Sequence, residues 1–167
     1  MINVPKIFEG AIASVVKAAG NFELPRIRTW QNISAETKWT PTNDRVFPVI
    51  DIRATPAVTA EDGCAQRVNV SLLVATNGNE DKDHSDISRW FELVSGVLDS
   101  LYSQFRSGTA GAERNTFDAY VAAQTAGLAP TLSIGGFEHG DPMTPYEDSG
   151  AYFIGLNFVI HFSRSDY

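Results

Sequence analysis

A chain of 167 residues, 43% hydrophobic and 20% charged, has the size and make-up of a single globular domain, which excludes a disordered or fibrous protein. Its net charge of -7, with no cluster of Lys or Arg, excludes the basic patches that grip nucleic acid irrespective of sequence. One cysteine, Cys64, excludes an internal disulfide, and its neighbours Gly63 and Ala65 offer no base or cation to activate the thiol.

No apolar run reaches the roughly 18 residues of a membrane span. Lys6, Glu9 and Lys17 interrupt the first twenty residues, unlike the apolar core of a signal peptide. The expectation is a protein that stays in the cytosol where it is made and has no membrane partner.

The first element is a helix over Asn3 to Ala19. Asn3 can cap it, Pro5 sits in the first turn where a missing N–H does no harm, and Ile7, Phe8, Ala11, Ile12, Val15 and Ala19 form its buried stripe. Gly20-Asn21 stops it. Pro25 starts a short extended segment, Arg26 to Gln31. From Asn32 to Arg45 the chain is polar and rich in turn residues, with Trp39 in its middle as a candidate partner anchor.

Val46 to Arg53 and Val68 to Ala75 alternate with period two and predict strands; Pro48 would delete a ladder hydrogen bond and so predicts an edge or an interruption in the first. Asp51 is expected to be solvated there, or paired with Arg53 or Arg67. The connection Ala54 to Gln66 predicts a long hairpin loop or arm. In the loop 76–82, with Asp83, acidic and amide residues stand at alternate positions, as in a calcium loop. The glycine at the sixth place and the closing glutamate are absent, so a solvated acidic loop is the expectation.

Asp83 to Phe105 predicts the organising helix. Ile87, Trp90, Phe91, Val94, Val97, Leu98, Leu101, Tyr102 and Phe105 recur at steps of three and four and form one apolar stripe. Asp83 is the expected cap, with Asp86 three places on, and Gly108 is the expected left-handed stop. Arg114 to Thr125 predicts a short helix. Thr131 to Phe137 predicts a strand bent at Gly135-Gly136, and Glu138 to Gly150 an extended loop. Ala151 to Phe162 predicts the longest strand. Tyr152, Ile154, Leu156, Phe158, Ile160 and Phe162 share one face; Phe153, Gly155, Asn157, Val159 and His161 share the other, which is too apolar for free solvent and predicts a second layer or another subunit.

No phosphate loop, dinucleotide fingerprint, nucleophile elbow, HExxH or CxxC motif occurs. The scattered acids form no pair spaced for acid–base work. No catalytic residue, cofactor or metal is therefore expected. His139 and Asp141, with the acidic loop near Asp81, are the one set from which a small metal-dependent hydrolase could be drawn.

Three stretches carry a family resemblance. Residues 146–151 (YEDSGA) with 153–164 (FIGLNFVIHFSR), 47–53 (FPVIDIR), and the helix 87–106 with VLDSLY at 97–102 resemble tail terminator (tail completion) proteins of tailed bacteriophages. With the element order, the resemblance covers most of the chain from Val46 onward and leaves 32–45 unmatched. It implies one α+β domain over residues 1–167, with an antiparallel or mixed sheet of about four to five strands and helices packed on one face. It further implies a self-assembled ring, usually a hexamer, that caps the head-proximal end of the tail tube. Such a ring stops tube polymerisation and joins the head connector, in the neck of the virion, while DNA passes through the lumen without specific binding. Candidate subunit-interface residues are Phe153, Asn157, Val159 and His161; candidate inter-ring or partner contacts are Trp39, Met143 and Tyr146. Another neck or tail-tube protein, the hydrolase, and a binding module of unknown ligand are the alternative readings.

Overall fold

The computed structural model describes residues 3–20, 26–29, 47–55, 58–59, 65–128 and 131–165. Helix α1 (Val4–Gly20) starts where expected: the Asn3 side-chain oxygen accepts the backbone N–H of Lys6 at 3.1 Å. Its apolar stripe is interrupted by a fully buried Glu9, whose Oε1 accepts the N–H of Ala54 at 2.8 Å and so ties the helix to the end of a strand.

That strand is β2 (Val49–Ala54), which lies between β1 (Arg26–Thr29, parallel to it) and β4 (Ala65–Asn77, antiparallel). β3 (Val58–Thr59) pairs with β4, so the expected loop 54–66 folds back as a hairpin in its described part. β4 pairs with β6 (Ala151–Ser165), and β6 with β5 (Thr131–Asp148), giving the order β1-β2-β4-β6-β5. The fold is α+β: a five-strand path, antiparallel except at β1–β2, and three helices.

The helices all feed one core. Ile50 and Ile52 of β2, Val68, Val70, Leu72 and Val74 of β4, and Phe158, Ile160 and Phe162 of β6 share a sheet face, as period-two alternation requires. α1, α2 (Ser85–Ser107) and α3 (Ala112–Thr125) contribute Phe8, Val15, Val94, Leu101, Phe117 and Val121 to the same cluster. An aromatic chain binds the layers: Phe105 of α2, Phe117 of α3 and Phe137 of β5 lie within 4.7–5.6 Å of one another, and Phe8 of α1 meets Phe162 edge-on at 5.2 Å. No described helix is long and apolar enough to cross a membrane.

Three sequence expectations are corrected. The segment 138–150 is not a loop: β5 runs through it to Asp148, and only the turn at Ser149-Gly150 remains. Three register shifts, between Ile134 and Gly136, His139 and Pro142, and Met143 and Tyr146, absorb the glycines and prolines that suggested a loop, and β5 is a sheet edge, where prolines are tolerated. Of the two outcomes that Pro48 allowed, the chain takes the interruption: β2 is paired on both sides and begins at Val49, just after Pro48, so no ladder bond is lost.

Asp51 is accordingly buried rather than solvated, and of its two expected partners it takes Arg53, at 2.7 Å. Finally, neither Asp83 nor Asp86 caps the first turn of α2 in the expected way. Asp81, 2% exposed, accepts the N–H groups of Asp86 at 2.9 Å and Ile87 at 3.0 Å and the Thr76 hydroxyl at 2.8 Å. The C-terminal stop at Gly108 is as expected, with φ of 68°.

Candidate interaction surface

Alternation along β4 and β6 sends every second residue to the sheet face that the helices do not cover, and this face divides in two. At the hairpin end, Ala75, Ala151 and Phe153 form a small second cluster with Phe47 and Leu73. Tyr146 of β5 stacks on Phe153 at 4.9 Å and 12°. Gly155 keeps this end flat: a Cβ there would lie 2.7 Å from the Leu72 carbonyl oxygen and 2.9 Å from the Met143 sulfur. Phe153 is thus 2% exposed and covered within its own chain, so the uniform, half-apolar second face expected for β6 resolves into a covered end and an open one.

The open end carries Asn69 and Ser71 of β4, Asn157, Val159 and His161 of β6, and Glu138 of β5. Register sets Val159 directly between Asn69 and Glu138. Two polar pairs form on it: the Ser71 hydroxyl donates to Asn157 Oδ1 at 2.8 Å, and His161 Nε2 lies 3.0 Å from Glu138 Oε2. Val159 is half-buried among them, an apolar side chain on a flat, otherwise polar surface. Three of the four candidate interface residues therefore meet on one open patch, and Phe153 supports the neighbouring end from within.

The partner-contact candidates lie at the hairpin end. Met143, opposite Gly155, is half-buried, and Tyr146 is 45% exposed, one of two large exposed hydrophobic residues among those described. Partial burial, and less strongly Asp148, raise the Tyr146 phenol above the ordinary tyrosine range against an opposing pull from Arg53. Trp39 and Cys64 lie outside the described residues.

Tyr146 borders a groove of about 370 Å³ between the β5–β6 hairpin and the start of α2. His84, Ile87, Glu147, Tyr152 and Ile154 also line it. His84 sits in the left-handed region (φ 60°) with its ring 4.2 Å from that of Tyr152. This groove is missed when 138–150 is read as a loop. Its only signal in the sequence is the Ser149-Gly150 turn, across which Glu147 pairs with Tyr152.

The hydrolase residues do not converge. His139 on β5 faces α2, with Nε2 3.4 Å from Asp99 Oδ1 and its ring 4.5 Å from Tyr102. Asp81 lies at the opposite end of α2, about 20 Å away at 1.5 Å rise per residue from Ser85 to Asp99. Its oxygens are taken by the helix cap. Asp141 is exposed on β5, in the register shift between His139 and Pro142. Among the described residues no group of three or more His, Cys, Asp or Glu could hold a metal ion. No family model matches the chain, and no curated protein matches it.

Proposed function

We propose that this chain is a structural virion protein of the phage tail-terminator kind, without catalysis. It assembles on itself as a hexameric ring at the head-proximal end of a tail tube, stops tube growth and presents a surface to the head connector. The reading is carried by the open end of the sheet, where Val159 sits half-buried among Asn69, Ser71, Asn157, His161 and Glu138, on the face away from the described helices. A flat polar patch with an apolar centre suits a neighbouring copy, and a head-to-tail contact of this kind closes into a ring. The resemblance of residues 146–164 and of the central helix supports it, as does the net charge of -7, which suits a lumen through which DNA slides without sticking. Met143 and Tyr146 face the tube or connector in this reading.

The test is the solution mass by light scattering across protein concentration. A closed species near six subunits, appearing as concentration rises, is the expected result. Val159→Asp, and independently Asn69→Glu on the strand beside it, should each yield a folded monomer with unchanged circular dichroism. A monomer at every concentration would remove the ring and return the patch to the binding-module reading. An oligomer indifferent to both substitutions would move the interface elsewhere.

A further inference from the structure

The groove beside Tyr146 has the chemistry of a receptor for a cationic side chain, and we infer that it takes an arginine of a partner protein. The inference deepens the partner-contact part of the proposed function and rests on the reading that Tyr146 faces a partner. Three observations converge on it.

The groove is concave and aromatic. Tyr152 and the His84 ring line it, with Ile87 and Ile154 behind; Tyr146, whose ring stacks on Phe153 on the other sheet face, borders it, and the groove's volume of about 370 Å³ accommodates one long side chain. Exposed tyrosines are enriched where binding energy concentrates, and a guanidinium stacks well on such rings.

The surroundings are negative. Glu147 lines the groove, and Glu80, Asp83, Asp86 and Asp148 stand exposed on the two segments that frame it, against Lys82 and Arg89. Arg89 is already engaged with Asp86 at 3.4 Å. The Ser85 hydroxyl and N–H hold the Asp83 carboxyl below its ordinary value, so it remains charged throughout the neutral range.

An anion is excluded by the helix start itself. The N–H groups of Ser85, Asp86 and Ile87, which would otherwise receive it, already donate to Asp83, Asp81 and Asp81 respectively, and that of Ser88 to the His84 carbonyl. Asp81 neutralises the positive end of α2 from within, and the field left at the groove is that of its carboxylates.

The experiment is an NMR titration of the whole chain with N-acetyl-arginine amide, with N-acetyl-norleucine amide and N-acetyl-glutamate amide as probes of the same backbone without the cation. The expected result is saturable shifts confined to 84–88 and 145–154 with the arginine probe, with a dissociation constant on the order of 1 mM, as befits one side chain. Glu147→Gln, exposed and with no side-chain hydrogen bond or ion pair among the described residues, should weaken it about three- to fivefold, the range of a single exposed charge pair. Shifts of equal size with norleucine would leave a merely apolar groove and overturn the inference. Preference for glutamate would reverse the sign of the partner, and no localised shift would remove the site. Ring assembly without arginine binding removes this inference alone; arginine binding by a protein that is monomeric at every concentration removes the ring and leaves the groove.

Discussion

At the scale of single residues, the side chains that fix the molecule include acids that the sequence placed in solvent and the fold buries. Asp81 is the clearest. Its carboxylate satisfies two N–H groups that helix geometry leaves without partners and takes the Thr76 hydroxyl as well, so it joins the end of β4 to the start of α2. Asp81→Ala should cost about 2 kcal/mol, the upper end for a lost cap because the orphaned donors are buried. A urea titration should show a lower midpoint with unchanged slope. Asp81→Asn, which keeps one acceptor, should recover part of the loss.

The loop sequence T-N-G-N-E-D-K-D displays several candidate caps, and Asp83 stands two places nearer the apolar stripe than Asp81. Which acid turns inward is decided by the left-handed turn at His84, a tertiary choice that the residue types alone leave open. Tyr146 gives a second residue-level expectation. Its pKa lies above that of the unfolded chain, so its contribution to stability is complete below the unfolded value near 10 and is lost as pH rises through the folded one. Ultraviolet difference titration should show a late-ionising tyrosine that disappears in Tyr146→Phe.

At the scale of elements, the strong periodic signals were legible and the interrupted one was not. The stripe of α2 and the alternation of β6 are long enough that no local signal competes with them; both elements stand where the sequence puts them, within a few residues. β5 differs because Gly135, Gly136, Gly140, Pro142 and Pro145 fall within it, each ordinarily a sign of a turn. The strand survives because it needs only one paired edge and because its register shifts three times against β6.

The open patch was legible in part. Asn157, Val159 and His161 share a face by alternation alone, but whether that face is covered depends on Tyr146 and Phe47, which are distant in sequence. Gly155 tests the account: at an interior position of β6, a valine side chain would meet the Leu72 carbonyl and Met143. Gly155→Val should therefore destabilise by about 1–3 kcal/mol, even though valine is the better strand former, and a lowered thermal midpoint would show it. An unchanged midpoint would mean that the hairpin end is not packed as described.

At the scale of the whole molecule, the question is how a chain of net charge -7 can gather copies of itself. Every added copy multiplies like charge, and among the described residues most exposed carboxylates lie on loops and helix surfaces away from the open sheet patch. On that patch Glu138 is held by a hydrogen bond to His161, and Val159 supplies the apolar centre. Association through it is thus opposed by long-range repulsion and favoured by short-range burial, and the two respond oppositely to salt. Raising ionic strength from about 0.01 M to 1 M shortens the screening length from about 30 Å to about 3 Å, which removes the repulsion and leaves the burial intact. Light scattering at fixed protein concentration should therefore show the mass rising with salt toward the closed species, and Val159→Asp should abolish the rise. Were the contact held instead by ion pairs between copies, the same addition of salt would dissolve the assembly, and the mass would fall.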